Sequence, residues 1–274
     1  MRARAAVLFL FFLLYLPSHM SAQSDTISLV RTAGQDGLTI LHAAGYVFSG
    51  PTRWEGSDWA KAGGMLALTG GAALLDDEWY SLMDRNRNSL NDHLADVTVL
   101  YGDAAGIVLF AGGFYATGLF ARSTWLRETG LLVGTSILLS GAVSTITKTI
   151  VGRARPYTGL GNHEFKPFTF TDEDYLSFPS GHTVVAFSIS TVLSRRIGNP
   201  WATVGLYALA TGTAVSRTYT RNHWLSDVVC GGILSTLISN SIVSWYERGG
   251  KDASPDLGLN IEPIPGGIAV VYFF

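Results

Sequence analysis

Beyond residue 59, the chain is a succession of uncharged segments rich in Gly, Ala, Thr and Leu. Four segments are long enough to be tilted membrane spans or buried helices, and two are too short to span alone. No strand-like alternation competes with helix in this region. The pattern predicts an all-α fold, a bundle of about six core helices. The predicted helices cover residues 62–75, 104–121, 129–147, 183–194, 197–216 and 228–246.

The N-terminal 22 residues have the pattern of an export signal. Arg2 and Arg4 precede an uncharged apolar run over residues 5–16, as in secretory signals. Cleavage after Ala22 is expected, and an uncleaved anchor is the alternative. In either case, the polar stretch 23–59 should begin outside the cytoplasm as an extracytoplasmic segment.

The tail, residues 251–274, differs from the helical body. Apolar residues alternate with Gly and Asn before the turn-forming run Pro265, Gly266 and Gly267, and a second apolar stretch follows. This pattern predicts a short C-terminal strand or β-hairpin appendage.

Composition narrows the classes of function. The chain is 47% hydrophobic and only 15% charged, against roughly a quarter charged in ordinary soluble domains. Membrane association is therefore expected, with a soluble or peripheral bundle as the alternative. A net charge of −2 without long Lys/Arg runs excludes nucleic acid as a partner. The single cysteine, Cys230, excludes an internal disulfide and fits a buried apolar position.

Basic residues lie in three connections that an up-down bundle places at one end. They follow the second, fourth and sixth predicted helices. If the helices span a membrane, the positive-inside rule makes this end cytoplasmic and the opposite end periplasmic. The residues are Arg122, Arg127, Arg195, Arg196, Arg248 and Lys251.

The opposite ends of the same helices carry groups that suit a phosphate. Lys148, Arg155 and Arg217 supply three cations, and guanidinium and ammonium groups bind phosphate oxygens. Lys148 and Arg155 would share one helical face if the helix continues that far. Ser180 and Gly181 stand where a helix should begin, and free backbone N–H groups at a helix start bind anions. These residues predict an oxyanion cradle.

Two histidines provide the chemistry for such a site. His223 and Asp227 are four residues apart, so the carboxylate could accept the imidazole N–H and orient the other nitrogen toward phosphorus. His223 is then the candidate nucleophile. His182 is the candidate general acid that protonates the leaving oxygen, and later the general base that activates water. No metal is expected, because the cations would stabilise the charge on the phosphoryl oxygens.

The joint spacing of these residues resembles the three-part signature of the type-2 phosphatidate phosphatase superfamily, which includes acid phosphatases and vanadium haloperoxidases. The resemblance covers about residues 129–246 and implies a helical bundle with the active site at one end. It also implies a phosphohydrolase with a phosphohistidine intermediate, in which His223, Asp227 and His182 keep the roles given above. The matching runs are Lys148-x6-Arg155-Pro156, Pro179-Ser180-Gly181-His182 and Ser216-Arg217-x5-His223-x3-Asp227.

The resemblance leads to a functional hypothesis. We expect a metal-independent phosphatase domain over residues 60–250, which acts in the cell envelope on a phosphomonoester or diphosphate. A lipid phosphate such as phosphatidate or a prenyl diphosphate is the expected substrate, with a small phosphate ester as the alternative. Two alternative functions are a soluble periplasmic acid phosphatase and a vanadium-dependent haloperoxidase. Only the haloperoxidase would need a cofactor, vanadate. A third alternative is a phosphate- or lipid-binding protein without catalysis.

Overall fold

The computed structural model describes residues 22–250, 259–264 and 267–272. Over these residues the chain forms ten α-helices and two strands. Their bounds are α1 Ala22–Phe48, α2 Gly56–Ala73, α3 Asp76–Arg85, α4 Ser89–Thr98, α5 Ala104–Ile107, α6 Phe114–Phe120, α7 Thr124–Val151, α8 Gly181–Ile197, α9 Pro200–Tyr219, α10 Leu225–Trp245, β1 Leu259–Ile264 and β2 Gly267–Tyr272.

All six predicted helical segments are helical in the structure, which confirms the all-α fold. Segment 104–121 is divided into α5, a π-helical stretch Val108–Gly113 and α6. Local signals fix several boundaries. The Ser123 hydroxyl accepts from the Leu126 amide at the start of α7, and Asn199 caps α9 by accepting from the Trp201 amide.

The core lies between α7, α8 and α10, with α9 packed on α8. Its fully buried side chains are aliphatic, and each contributes about 1.5–3 kcal/mol of burial free energy. This core keeps the site-bearing helix ends at a fixed spacing. The largest members are Leu132, Val133, Ile189, Val192, Ile242 and Val243.

The basic connections lie together at one end of the bundle, as predicted. Arg195 pairs with Glu247 at 2.5 Å, which joins the end of α8 to the end of α10. Arg196 pairs with Glu128 at 3.3 Å, which joins the same end to the start of α7. The end of α7 and the starts of α8 and α10 therefore lie at the opposite end of the bundle.

Three helices lie outside the predicted six. The polar residues 23–59 do not predict a helix, yet α1 covers most of them and packs on α7 and α10. Asp36 of α1 is held by Arg127 at 2.8 Å and by the Tyr115 hydroxyl at 2.9 Å. Polar residues of α1 thus make tertiary contacts. The other two, α3 and α4, are short and largely polar and cover the site end of α9.

Two helical stretches are long and apolar enough to cross a membrane, Thr124–Val151 and Leu225–Gly250. The pair Ser89–Gly102 and Ala104–Phe120, bent by 42°, would make a third if it forms one span. Helix α9, expected as a possible span, does not meet the same criteria. These findings fit membrane association.

At the C-terminus, β1 and β2 form an antiparallel pair in which Leu259 faces Tyr272 and Ile264 faces Gly267. The predicted hairpin is therefore present as an appendage to the helical body. The predicted export signal covers residues 1–22. Residues 1–21 lie outside the described residues, so the signal stays a prediction.

Candidate active site

Hydrogen bonds at one end of the bundle join the three motif segments. The amide of Ser180, before α8, donates to the carbonyl of Asp227 in α10 at 3.0 Å. The Trp224 indole N–H donates to the carbonyl of Ala154, after α7, at 2.9 Å. The amide of His223 donates to the carbonyl of Arg217, at the end of α9, at 3.2 Å. Segments remote in sequence therefore meet at one place.

Two of the three cations, Lys148 and Arg155, lie on backbone of different conformation, one inside α7 and the other after its end. Helix α7 ends at Val151, and Gly152 follows in the left-handed conformation with φ 60°. Glycine ends the helix between Lys148 and Arg155, so the condition for their sharing one helical face is not met. Lys148 Nζ donates to the carbonyl of Leu176 at 2.8 Å. Arg155 Nε donates to the carbonyl of Glu173 at 2.8 Å.

The third cation has an unused donor. Arg217 Nε is buried and has no hydrogen-bond partner within the described part of the chain. Burial and the charge of Arg155 lower the pKa of Arg217 to about 10, so it remains charged at neutral pH. A buried charged donor without a partner is costly, and an anion would satisfy it.

The start of α8 completes the anion-binding surface. Ser180 is fully buried before this helix, and its hydroxyl accepts from the Thr183 hydroxyl at 3.0 Å. A Cβ atom at Gly181 would meet no atom within 4 Å, so the space directly beside this residue is open. The first N–H groups of a helix lack intrahelical partners and attract anions. Backbone donors are therefore available beside the cations.

His182, in the first turn of α8, is partly exposed and surrounded by charge. Its Nε2 lies 3.9 Å from Asp103 Oδ1. Burial, followed by the charge of Arg217, lowers the pKa of His182 to about 4, while Asp103 opposes this shift. Arg155 and Lys148 lower the pKa further. Burial and the surrounding cations therefore favour the neutral form of His182.

His223 is almost completely buried, and its ring orientation is defined. Its Nδ1 lies 2.8 Å from the carbonyl oxygen of Ser177. Because a carbonyl oxygen only accepts, Nδ1 carries the proton, and Nε2 has a free lone pair. Burial is the main cause that lowers the pKa of His223 to about 3. This neutral tautomer suits a nucleophile.

The predicted hydrogen bond from the His223 imidazole to the Asp227 carboxylate is not formed. Its Oδ2 lies 3.7 Å from His223 Nδ1, beyond hydrogen-bond distance. Instead, Oδ2 accepts from the Ser177 hydroxyl at 2.5 Å and from the Trp224 amide at 2.8 Å. The carboxylate thus holds Ser177, and the Ser177 carbonyl orients His223. In this structure Asp227 acts on the histidine through its charge and through Ser177.

Several residues that the motifs do not contain also build the site. Ser177 contacts both His223 and Asp227, and its carbonyl accepts from Lys148 Nζ at 3.2 Å. No sequence signal marks it. Asp103 precedes α5, and its side chain accepts from the Ala104 amide at 2.7 Å. Its position beside His182 depends on close packing, since a Cβ at Gly102 would overlap the His182 carbonyl oxygen.

A buried ionic network lies behind Asp227. Arg153 donates from Nη1 to Asp227 Oδ1 and from Nη2 to Asp76 Oδ2, both at 2.8 Å. Asp76 also accepts from the amide and hydroxyl of Ser226, at 2.9 and 2.8 Å. The sequence offers only weak signals for this network, an additional arginine between Lys148 and Arg155 and an acidic pair at residues 76–77. Asp76 is fully buried, so its carboxylate is structural and not a solvated loop acid.

Fold and site together define a helical protein with an anion-binding, histidine-containing pocket at one end of its bundle. Residues 129–251, a little under half of the chain, match the model of the PAP2 superfamily. The match includes every residue of the three motifs.

Named proteins are similar to parts of this chain in sequence, and one solved structure is similar to it in fold. The chain is 41% identical over 64 residues to a lipid A 1-phosphatase of Porphyromonas gingivalis, covering 23% of this chain and 14% of that protein. It is 29% identical over 154 residues to a lipid A 1-phosphatase of Rhizobium johnstonii, and this match covers 51% of this chain and 61% of that protein. The chain thus spans less than two thirds of either relative. The crystal structure of Aquifex aeolicus LpxE shares the fold, with a TM-score of 0.50, 22% identity, and 62% of this chain and 95% of that chain covered.

Proposed function

We propose that the protein is a metal-independent phosphatase of the cell envelope that hydrolyses a phosphate ester through a phosphohistidine. One observation carries the proposal: the buried Arg217 Nε lacks a partner within the described part of the chain, at the site where both histidines lie. A phosphoryl oxygen would supply the missing acceptor. In the same bound position, the other oxygens would face Lys148, Arg155 and the start of α8.

The proposed reaction begins with attack by His223. The lone pair on Nε2 forms the N–P bond, while Nδ1–H remains bonded to the Ser177 carbonyl, which stabilises the imidazolium that develops. The bond from phosphorus to the leaving oxygen breaks, and His182 donates its proton to that oxygen. Arg217, Lys148 and Arg155 stabilise the charge on the three remaining oxygens.

Hydrolysis of the phosphohistidine completes the cycle. His182, now neutral, takes a proton from water as the water oxygen attacks phosphorus. The P–N bond breaks, and orthophosphate and neutral His223 result. His182 must be protonated for the first step, although burial and then the three cations lower its pKa. A bound phosphate dianion would offset their charge and raise this pKa, so substrate binding should be accompanied by proton uptake.

A lipid phosphate is the proposed substrate. The named relatives are lipid A 1-phosphatases, and two described helices are apolar enough to span a membrane. We further propose that residues 60–250 form the phosphatase domain and that the site faces the periplasm. The cluster of arginines at the other end of the bundle supports this orientation by the positive-inside rule.

A substrate panel tests the proposal. The full-length protein in detergent is given phosphatidate, a prenyl diphosphate, a lipid A-type 1-phosphate and a water-soluble phosphate ester, and orthophosphate is measured. Turnover of at least one lipid phosphate that survives excess EDTA is expected. Preference for the soluble ester would instead indicate an acid phosphatase. Halide oxidation that requires vanadate, without phosphatase activity, would indicate a haloperoxidase, and tight phosphate binding without turnover would indicate a binding protein.

Asp103→Asn is expected to change the pH dependence of turnover. Asparagine can still cap α5, but it removes the negative charge 3.9 Å from His182 Nε2. Since Asp103 raises the pKa of His182, the protonated acid should be lost at lower pH. The alkaline limb of kcat should move down by about 0.7 of a pH unit, because one charge at about 4 Å in a water-like medium contributes about 1 kcal/mol. Asp96→Asn, on the exposed side of α4, is the control. An unchanged limb in Asp103→Asn would argue against the pairing.

A further inference from the structure

The loop between α7 and α8 exposes two phenylalanines near the site. Phe168 is 69% and Phe170 is 75% exposed. The residues around them are held firmly. The Lys166 amide donates to the Gly152 carbonyl at 2.6 Å, and the Thr169 amide donates to the Thr149 carbonyl at 3.1 Å. The exposure of both rings is therefore fixed by the fold, and it leaves apolar area that burial would stabilise.

The exposed rings continue an apolar face of α7. Ile146 and Ile150, on the last two turns of this helix, are half exposed, as is Leu138 further back. The bond between Thr169 and Thr149 places the phenylalanines at the end of this face. Helix α7 is also one of the two helices with the length and apolarity of a membrane span. A lipid bilayer is the partner that covers such a face continuously.

Aromatic residues also mark the other end of the bundle. Trp125 begins α7 and donates to the Arg196 carbonyl at 3.4 Å, and Trp201, which is 82% exposed, begins α9. From Trp125 to Ile150 the helix rises about 38 Å at ~1.5 Å per residue. A bilayer is about 30 Å thick in its hydrocarbon core and about 40–45 Å with its headgroup regions. The distance between the two aromatic groups is thus close to the distance between the two interfaces of a bilayer.

We infer that Phe168 and Phe170 lie in the lipid–water interface of a bilayer, on the side of the active site. Lys148 precedes Thr149, the residue that holds the loop, so the phosphate site would lie at the depth of the lipid headgroups. A phosphorylated lipid could then enter the pocket without leaving its leaflet. This inference rests on the proposed function for its substrate, but the contact with the bilayer does not depend on it.

The first test compares two substrates for one variant. Phe168→Ser together with Phe170→Ser, in full-length protein reconstituted into phosphatidylcholine vesicles, should hydrolyse phosphatidate in the bilayer about tenfold more slowly, because interfacial burial of the rings is lost. Hydrolysis of a water-soluble ester should stay within about twofold, which also shows that the variant folds. Phe168→Trp with Phe170→Trp should retain activity on both substrates. Equal rates of wild type and Ser variant on bilayer phosphatidate, or an equal loss on both substrates, would overturn the inference.

A second test does not use activity. In Phe170→Trp, the added indole should be quenched more strongly by lipids brominated near the headgroup than by lipids brominated near the chain end, relative to wild type. No added quenching by either lipid would overturn the inference. If the wild type hydrolyses neither substrate, the proposed function fails, and the quenching result alone decides whether the loop contacts the bilayer.

Discussion

His223→Ala is expected to abolish release of orthophosphate. The ring is buried, its Nδ1–H donates to the Ser177 carbonyl at 2.8 Å, and its Nε2 holds the lone pair that the proposed reaction uses. Alanine removes the nucleophile, and no other described side chain occupies its place. Loss of a nucleophile that acts as part of a catalytic unit costs on the order of 10⁴–10⁶ in kcat. Initial rates on the best substrate of the panel measure the effect.

A covalent intermediate provides a second readout for the same residue. Phosphohistidine is hydrolysed in acid and is stable in alkali, so turnover of ³²P-labelled substrate should be stopped with alkaline denaturant and the protein digested. Label is expected on the peptide that contains His223 in the wild type and on no peptide in the alanine variant. His163→Ala, an exposed histidine in the loop after α7, is the matched control and should keep both activity and label. Full activity of His223→Ala would end the proposed mechanism.

The motifs predicted which segments meet, and the structure brings them to one end of the bundle. Up-down packing of apolar helices suffices for this, because the hydrophobic pattern defines the helices and short connections define their order. Sequence could not define the local geometry. Glycine at position 152 ends α7 before Arg155, although a spacing of seven residues is compatible with two helical turns. Only the structure shows whether the helix continues from Lys148 to Arg155 or ends between them.

The support around His223 was still less predictable. A spacing of four residues predicts a contact between His223 and Asp227 on one helical turn, but His223 precedes α10, which begins at Leu225. The Ser177 carbonyl accepts the hydrogen bond from the imidazole Nδ1–H instead. Any residue of the loop before α8 could have supplied a carbonyl, since every residue has one. Backbone acceptors therefore leave no signature in a sequence.

Arg153→Met is expected to lower the stability of the whole site end. Arg153 bridges Asp227 and Asp76, each at 2.8 Å, and all three side chains are almost completely buried. Methionine of similar length would leave two buried carboxylates without their cation. Removal of one partner from a buried ion pair costs about 3–5 kcal/mol. At about 2–4 °C per kcal/mol for a chain of this size, the midpoint of thermal unfolding should fall by roughly 10 °C, as measured on the protein in detergent.

Two further variants distinguish the loss of the buried ion pairs of Arg153 from the loss of an arginine as such. Arg155→Met removes a neighbouring arginine whose carboxylate partner, Glu173, is mostly exposed at 3.3 Å, and exposed pairs contribute at most about 1 kcal/mol. Its midpoint should fall by only a few degrees. Adding Asp76→Asn to Arg153→Met removes one of the two uncompensated charges, so part of the lost stability should return. Equal midpoints for the two methionine variants would mean that the buried network does not hold the site end together, and Asp227 would then need another explanation for its position beside Ser177.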